Sequence, residues 1–476
     1  MKKRQGLTRM IAGVLFFWIL LVSNSMVAQD LPKTWSLEDC INYAIENNIQ
    51  IQQSELGIES SEINLLESKL SMLPSLNAST RYSYSWGRIL DQSINAYVDK
   101  ETRQGTLGVD ANLVLFNGLQ KFNSIKKDKI DYEASQYDAD KMKDDISLML
   151  TQAYLSILFN QELLRAAREQ VVATQTQIDR TEKMVEAGTL ARGSLLEIQA
   201  QGAREDLSVI NYENSLSLAY LDLLQILDLP GDTDFDIVVP ELPAKLSTGL
   251  DPVMQVYQNA LVSQPVIKSA ELGVESTYKS VALAKGMRSP SLSLFGGWGT
   301  NYSNNQWLSY NKYLSLDETD PNYLIPDPDF GVIIPFGDQF KNNQNRYLGL
   351  NLSIPIFNGY QVSSNISRAK VSAANSEFNL ELTRNTLRKE IEQAYNDAMA
   401  AYRSYVATNQ SLQSFEESFR YTEQKFNVGM ANSVDYNIAK SQVTSAQSEL
   451  IRAKFDYIFK TKILDFYQGK PLTLDY

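Results

Sequence analysis

The chain carries the same unit twice. The stretch "ELGIESSEINLLESKLSMLPSL" (Glu55 to Leu76) aligns with "ELGVESTYKSVALAKGMRSPSL" (Glu271 to Leu292), its Glu-Leu-Gly and Pro-Ser-Leu triplets at an offset of 216 residues. Further on, "LFNGLQKFNSIKKDK" from Leu115 returns as "IFNGYQVSSNISRAK" from Ile356, at an offset of 241 that persists to Gly188 and Gly429. A duplication of this length means that each half builds one structural unit. The second half has gained 25 residues between Leu292 and Phe357. They fall in a segment rich in Asn, Asp, Pro and Tyr, read as an exposed loop over 301–340.

Two arms of equal length follow the repeated junctions, from about residue 120 to 187 and 361 to 428. Wholly helical, each would reach ~100 Å. A heptad runs through both. In the second arm it is Ile391, Ala398, Tyr405, Leu412, Phe419 and Phe426, with Leu387, Ala394, Ala401, Thr408, Phe415 and Thr422 alongside. In the first it is Leu150, Ile157, Leu164, Val171, Ile178 and Val185. A sustained seven-residue repeat implies coiled-coil packing.

Between the helical parts lie four segments of period two. Leu348, Leu350, Leu352, Ile354 and Ile356 alternate with Gly349, Asn351, Ser353 and Pro355. Leu107, Val109, Ala111 and Leu113 alternate with Gly108, Asp110 and Asn112. A third such segment runs from Leu76 to Gly87, and a shorter one from Ser291 to Trp298. One apolar face, one small polar face and aromatic ends match transmembrane β-strands. Four strands cannot close a barrel around water, and lipid tolerates no open sheet edge. Other copies of the chain must therefore complete the sheet. Phe116-Asn117-Gly118 and Phe357-Asn358-Gly359 are read as the points where strand passes to helix, with Asn capping or turning and Gly allowing a sharp path. Pro74 and Pro290 mark the passage from helix to strand.

The N-terminus supports export. Lys2, Lys3, Arg4 and Arg9 precede the apolar run "IAGVLFFWILLV" and the small or polar "SNSMVAQD". This reads as a signal peptide over 1–28, cleaved after Ala28 or alternatively Ser25, with a membrane anchor as the competing reading. Its removal would take the net charge from −12 to −16, which argues against nucleic acid as a partner. Cys40, the one cysteine, reads as a helix-face residue, and the chain has no histidine. No metal or cofactor motif stands out, and the pairs Asp144/Asp145 and Glu416/Glu417 do not converge as catalytic pairs would.

With these features in place, the chain resembles the TolC family of outer-membrane efflux proteins over essentially its whole mature length. The carriers are the duplication, the paired "LFNG" and "IFNG", the "LPSL" and "SPSL" before strands, and the glycine turns "EAGTLARGSLLE" and "NVGMANSVDYNIA". The fold class is α+β membrane protein, with long coiled-coil helical arms and four transmembrane β-strands per chain. The resemblance implies a homotrimer with a twelve-stranded β-barrel and an α-helical barrel through the periplasm, needing no cofactor. It implies docking on a periplasmic adaptor (membrane-fusion) protein and an inner-membrane pump, the β-barrel resting in outer-membrane lipid. The expected units are a first repeat over 29–240 with its hairpin at 74–118, and a second over 241–476 with its hairpin at 290–359.

The glycine turns would be the periplasmic tip, with Gly188, Thr189, Val428, Gly429 and Met430 as adaptor contacts. Ser194-Leu195-Leu196-Glu197 fits a capping box. In the family, acids after the second turn narrow the entrance; the matching position here is Asp435, the next is Ile438, and the first-repeat counterpart is Ser194. A helix N-cap is the competing role for Asp435. A passive porin and a structural periplasm-spanning coiled coil are the alternative functions.

Overall fold

The computed structural model describes residues 34–91, 96–240, 246, 249–304, 307–309 and 331–474. The expected signal peptide and most of the 301–340 loop lie outside the described residues.

The duplication is kept in element lengths. Helices α1 (Leu37–Asn47) and α2 (Ile49–Leu70) span 11 and 22 residues, as do α5 (Val253–Ser263) and α6 (Pro265–Gly286). The long arms α3 (Gln120–Glu186) and α8 (Gln361–Asn427) are each 67 residues, about 100 Å. The return helices α4 (Arg192–Ile226) and α9 (Ser433–Tyr467) are each 35.

Strands β2 (Ser75–Ser85), β5 (Thr102–Asn117), β7 (Ser291–Ser303) and β10 (Asn345–Ser353) form one antiparallel sheet in the order β10-β7-β5-β2. The helices joined to them follow the same order, with α2 on α3, α3 on α6 and α6 on α8. Short pairs join β1 (Thr34–Trp35) to β6 (Asp236–Ile237) and β3 (Arg88–Asp91) to β4 (Ala96–Asp99).

Three expectations for the strands and loop need correction. The third strand is not short: β7 has 13 residues, because it has a partner on both sides. The fourth stops at Ser353, short of Ile356, because its one partner in the chain, β7, begins at Ser291 opposite Ser353. The 301–340 segment is not wholly loop. Its described part pairs β8 (Trp307–Ser309) with β9 (Gly331–Ile333) and forms a short helix, α7 (Phe336–Asn342). The buried Gln339 amide secures that helix, donating to the Ser303 and Ile334 carbonyls and accepting from Ser303 N.

The core is duplicated position by position. Cys40, Ala44, Ile51, Ile146, Leu150, Ala153, Ile157 and Leu223 belong to one buried cluster. Their repeat counterparts Val256, Ala260, Ile267, Leu387, Ile391, Ala394, Ala398 and Leu464 form the other. Each large side chain so buried contributes roughly 1.5–3 kcal/mol. Cys40 is thus a core residue equivalent to a valine, its thiol pushed up to about 12 by burial and by Asp39. Tyr154 links this core to the short β1–β6 pair, its hydroxyl donating to the Trp35 and Val238 carbonyls.

At the strand-to-helix junctions, two consecutive residues are left-handed: Gly118 and Leu119 (φ 68° and 63°), and Gly359 and Tyr360 (φ 58° and 67°). Asn117 and Asn358 are not the N-caps; Leu119 and Tyr360 hold that position without a side-chain cap. The Asn117 side chain accepts weakly from Lys121 N at 3.4 Å. A Cβ on Gly118 would stand 2.3 Å from the Gly286 carbonyl oxygen, so this glycine is also required for close approach of α6.

Gly118→Ala should therefore destabilise by roughly 2–4 kcal/mol, from left-handed strain plus the clash. Gly273→Ala is the control: this helical glycine has open space around its Cβ position. It should stabilise by up to about 1 kcal/mol. Thermal unfolding followed by far-UV circular dichroism checks both, and an equal response at the two sites would refute the packing account.

Candidate functional site

The arms end in two matched turns. After α3, Gly188 is left-handed at φ 72°, its N–H bonding Val185 O while Thr189 N bonds Met184 O. After α8, Gly429 has φ 75°, with Gly429 N on Phe426 O and Met430 N on Lys425 O. Both are Schellman motifs, which satisfy the last carbonyls of each arm. Gly188, Thr189, Val428, Gly429 and Met430 are all exposed, with Met430 80% accessible.

The return helices start differently from expectation. No Ser194–Glu197 capping box forms: α4 begins at Arg192 with Ala191 at its N-cap, and Ser194 lies inside the first turn. Glu197 is used elsewhere, accepting a hydrogen bond from the buried Ser433 hydroxyl and so tying the two turns together. Asp435 is not the N-cap either. Asn432 is, and its side chain accepts from Asp435 N at 2.8 Å. Asp435 sits in the first turn of α9, exposed, beside exposed Val434 and Ile438. An acid there is favoured by the helix dipole without closing a cap.

Just inside the turns, Phe426, Tyr436 and Ile198 are buried together, with Phe426 and Tyr436 rings 4.9 Å apart. Burial pushes the Tyr436 phenol up to about 12. One step farther lies a buried polar layer. Lys440 of α9 approaches Glu205 of α4 at 3.8 Å, their side chains 6% and 8% exposed. Thr174 of α3 bridges them, accepting from Lys440 and donating to Glu205. Gln170 and Gln201 donate to the same carboxylate at 3.3 and 2.9 Å. Desolvation lowers the Lys440 pKa, while Glu205 and Glu423 oppose the shift.

This layer was not anticipated from the sequence. The heptad placed Val171, Ile178 and Val185 in the seam, yet the fully covered residues of the lower first arm are Thr174, Gln177 and Thr181. The available signal was Lys440 itself, four residues after Tyr436 on the buried face of α9. Among the described residues, no group of three or more His, Cys, Asp or Glu side chains could hold a metal ion.

Lys440→Ala should cost about 3–5 kcal/mol by leaving Glu205 charged and buried alone. Replacing both residues by apolar ones, Lys440→Met with Glu205→Leu, should recover most of that loss. Thermal melts of the single and double variants decide; additive losses would mean that the two side chains do not act as a pair.

Comparison with known proteins matches residues 40–228 and 256–460 to the outer membrane efflux protein family. Outer membrane efflux protein BepC of Brucella suis is 19% identical over 445 residues, covering 92% of this chain and 86% of that protein. Outer membrane protein TolC of Vibrio cholerae is 21% identical over 430 residues, covering 89% and 88%. The solved structure of CusC superposes with a TM-score of 0.72 at 17% identity, over 94% of this chain and 96% of that one.

Proposed function

The chain belongs to the outer membrane efflux protein family, and from that premise we propose that it works as a homotrimer, the exit duct of a tripartite export system. It is an outer-membrane channel rather than an enzyme, with helices that extend into the periplasm. The observation that carries the reading is continuity: a four-stranded sheet with an exposed apolar face passes directly into two 67-residue arms. Such a duct would receive its substrate from an inner-membrane pump, through a periplasmic adaptor.

Several features support the trimer. Strands β2 and β10 are sheet edges, with Leu76 at 71% and Leu348 at 78% exposure. The helical layer has apolar edges too. Ile49, Leu56, Ile63 and Leu70 recur every seven residues along the outer face of α2, and Val371 and Phe378 along that of α8. Each is at least half exposed in the single chain. Closing both layers with two further copies would satisfy the strand edges that lipid cannot. At the far end, Gly188, Thr189, Val428, Gly429 and Met430 form the surface for the adaptor. Asp435, with Ile438 one turn on and Ser194 its first-repeat counterpart, borders the entrance.

Mass measurement in detergent should give three copies per particle, and a stable folded monomer would count against the duct. Cross-linking in cells followed by purification should recover an inner-membrane transporter; repeated recovery of the channel alone would favour a passive pore.

Three Asp435 carboxylates around the threefold axis would attract cations and repel anions over ~8 Å at physiological salt. Asp435→Asn should reduce cation selectivity in planar bilayers while leaving stability within about 1 kcal/mol, since Asn432 supplies the cap. Asn432→Ala should show the reverse, a loss of about 1 kcal/mol without a change in selectivity. Selectivity unmoved by Asp435→Asn would remove Asp435 from the entrance.

A further inference from the structure

The two repeats keep lysine at the same places beside the sheet. Lys69 of α2 and Lys285 of α6 correspond at the offset of 216, and each stands six residues before its strand, β2 or β7. Lys129 of α3 and Lys370 of α8 correspond at 241, each the tenth residue of its arm and about 14 Å along it. Lys126 adds a further position in the first arm. All five are exposed. Lys129 pairs with Glu133 at 3.3 Å; the other four have no carboxylate partner among the described residues.

The lysines of the first arm continue the apolar face of the sheet onto the helix. Phe116 stands opposite Leu292 in the ladder of β5 with β7. Leu119 and Phe122 follow it, 60% and 50% exposed. Lys126 lies over the Phe122 ring, its ammonium 4.5 Å from the centroid. Spacings of three and four place Leu119, Phe122, Lys126, Lys129 and Glu133 on one face of α3. Since α2 and α6 flank α3 within the chain, this face does not belong to an edge that another copy would cover. In the second arm Tyr360, the counterpart of Leu119, is 69% exposed and precedes Lys370.

Helix dipoles do not account for these bases. The start of a helix favours acids, yet neither arm has one in its first turn, and the lysines follow. Helical side chains lean toward the N-terminus, so the lysines of α3 and α8 lean back toward the sheet. Farther along, the sign reverses: Glu133 and Asp140 of α3, with Glu271 and Glu275 of α6, line the next groove. In a chain of net charge −12, unpaired lysine thus gathers at the membrane end of the arms. We infer that these lysines form a docking collar for an anionic glycerophospholipid of the periplasmic leaflet. Their ammonium groups take its phosphate, and Leu119, Phe122 and Tyr360 meet its acyl side. Lysine suits this place, because its stem covers apolar surface while its head reaches the boundary. An anionic surface attracts each such ammonium, and a zwitterionic one does not. The collar goes beyond the duct reading, needing the sheet in the membrane but not three copies.

Lipid retention tests it. The full-length protein is equilibrated in detergent micelles containing equal phosphatidylglycerol and phosphatidylcholine, repurified, and its lipid quantified by mass spectrometry. Phosphatidylglycerol should be enriched about fivefold or more, the weight of one lysine at an anionic surface. The enrichment should fall in about 0.5 M salt, which screens exposed charges. Lys126→Gln, Lys129→Gln and Lys370→Gln together should bring the two lipids to parity, and the same three changes to Arg should keep the enrichment. Lys183→Gln with Lys425→Gln, exposed lysines near the tip, should leave it unchanged. Equal retention by the unaltered protein, enrichment that survives the triple Gln variant, or equal loss in the tip variant would overturn the collar. Loss of enrichment to millimolar inorganic phosphate at matched ionic strength would mean a free-anion site instead and overturn it too. A monomeric mass with enrichment intact would remove the duct and leave the collar. Circular dichroism of each variant shows whether it folds.

Discussion

In hydrocarbon a peptide N–H has no water to turn to, and that one fact organises this molecule. A four-stranded sheet satisfies its two inner strands and leaves β2 and β10 each with an unpaired side. The chain makes the repeat-to-repeat junction once, internally, between β5 and β7. The repeat counterparts of those two strands, β10 and β2, are the outer edges of the sheet. Length follows from this. Two repeats joined side by side must keep step, so helices of 67 and 35 residues recur without an insertion. The extra residues of the second repeat fall between β7 and β10 in the sequence, outside every matched helix.

The turn from sheet to helix is the second dependent feature. Strand residues alternate faces while helical ones rotate by about 100° each, so the chain must change both direction and periodicity at the junction. Two successive left-handed residues do this in each repeat. Gly accepts that conformation at little cost; Leu119 and Tyr360 do not, and each carries strain of order 1 kcal/mol or more that the surrounding packing must hold. In the first repeat the holding contact is visible, with Gly118 set against Gly286 and Ser289. Gly359 has open space in the same place. The junction without such a contact in the single chain is the one beside the sheet's edge strand.

Much of this was legible in the residues because the relevant forces are local and periodic. Glycines at the tip, prolines before strands and the two-residue alternation each mark a backbone requirement that few residue types meet. The first-turn chemistry was less legible. Ser194 and Glu197 have the spacing of a capping box, but Glu197 is drawn to Ser433 on the other hairpin, a contact 236 residues away that no local pattern encodes. Asp435 is a residue type that favours the cap, but Asn432, with the same preference and three residues earlier, occupies it. Strand ends failed for a related reason. Alternation shows which residues could lie in a strand; the partner's length decides which ones do.

The buried Lys440–Thr174–Glu205 layer shows what the tip gains from polar chemistry. An apolar layer of similar volume would generally be as stable or more so, because taking two charges from water costs several kcal/mol per ion. An apolar seam, however, tolerates a helix sliding or rotating by a fraction of a turn, since one aliphatic contact replaces another at small cost. The polar layer does not. Glu205 is met by three neutral donors and one amine from α3, α4 and α9, so displacing any one helix leaves a buried carboxylate short of partners. Farther from the tip the helices are held by apolar side chains, repeated in both halves. Near the tip the covered residues of the first arm are threonine and glutamine, and the ion pair lies one step inside the Phe426–Tyr436–Ile198 cluster. Position there is set by hydrogen bonding as well as by buried area. The relative placement of the two hairpins at the tip thus becomes a discrete choice.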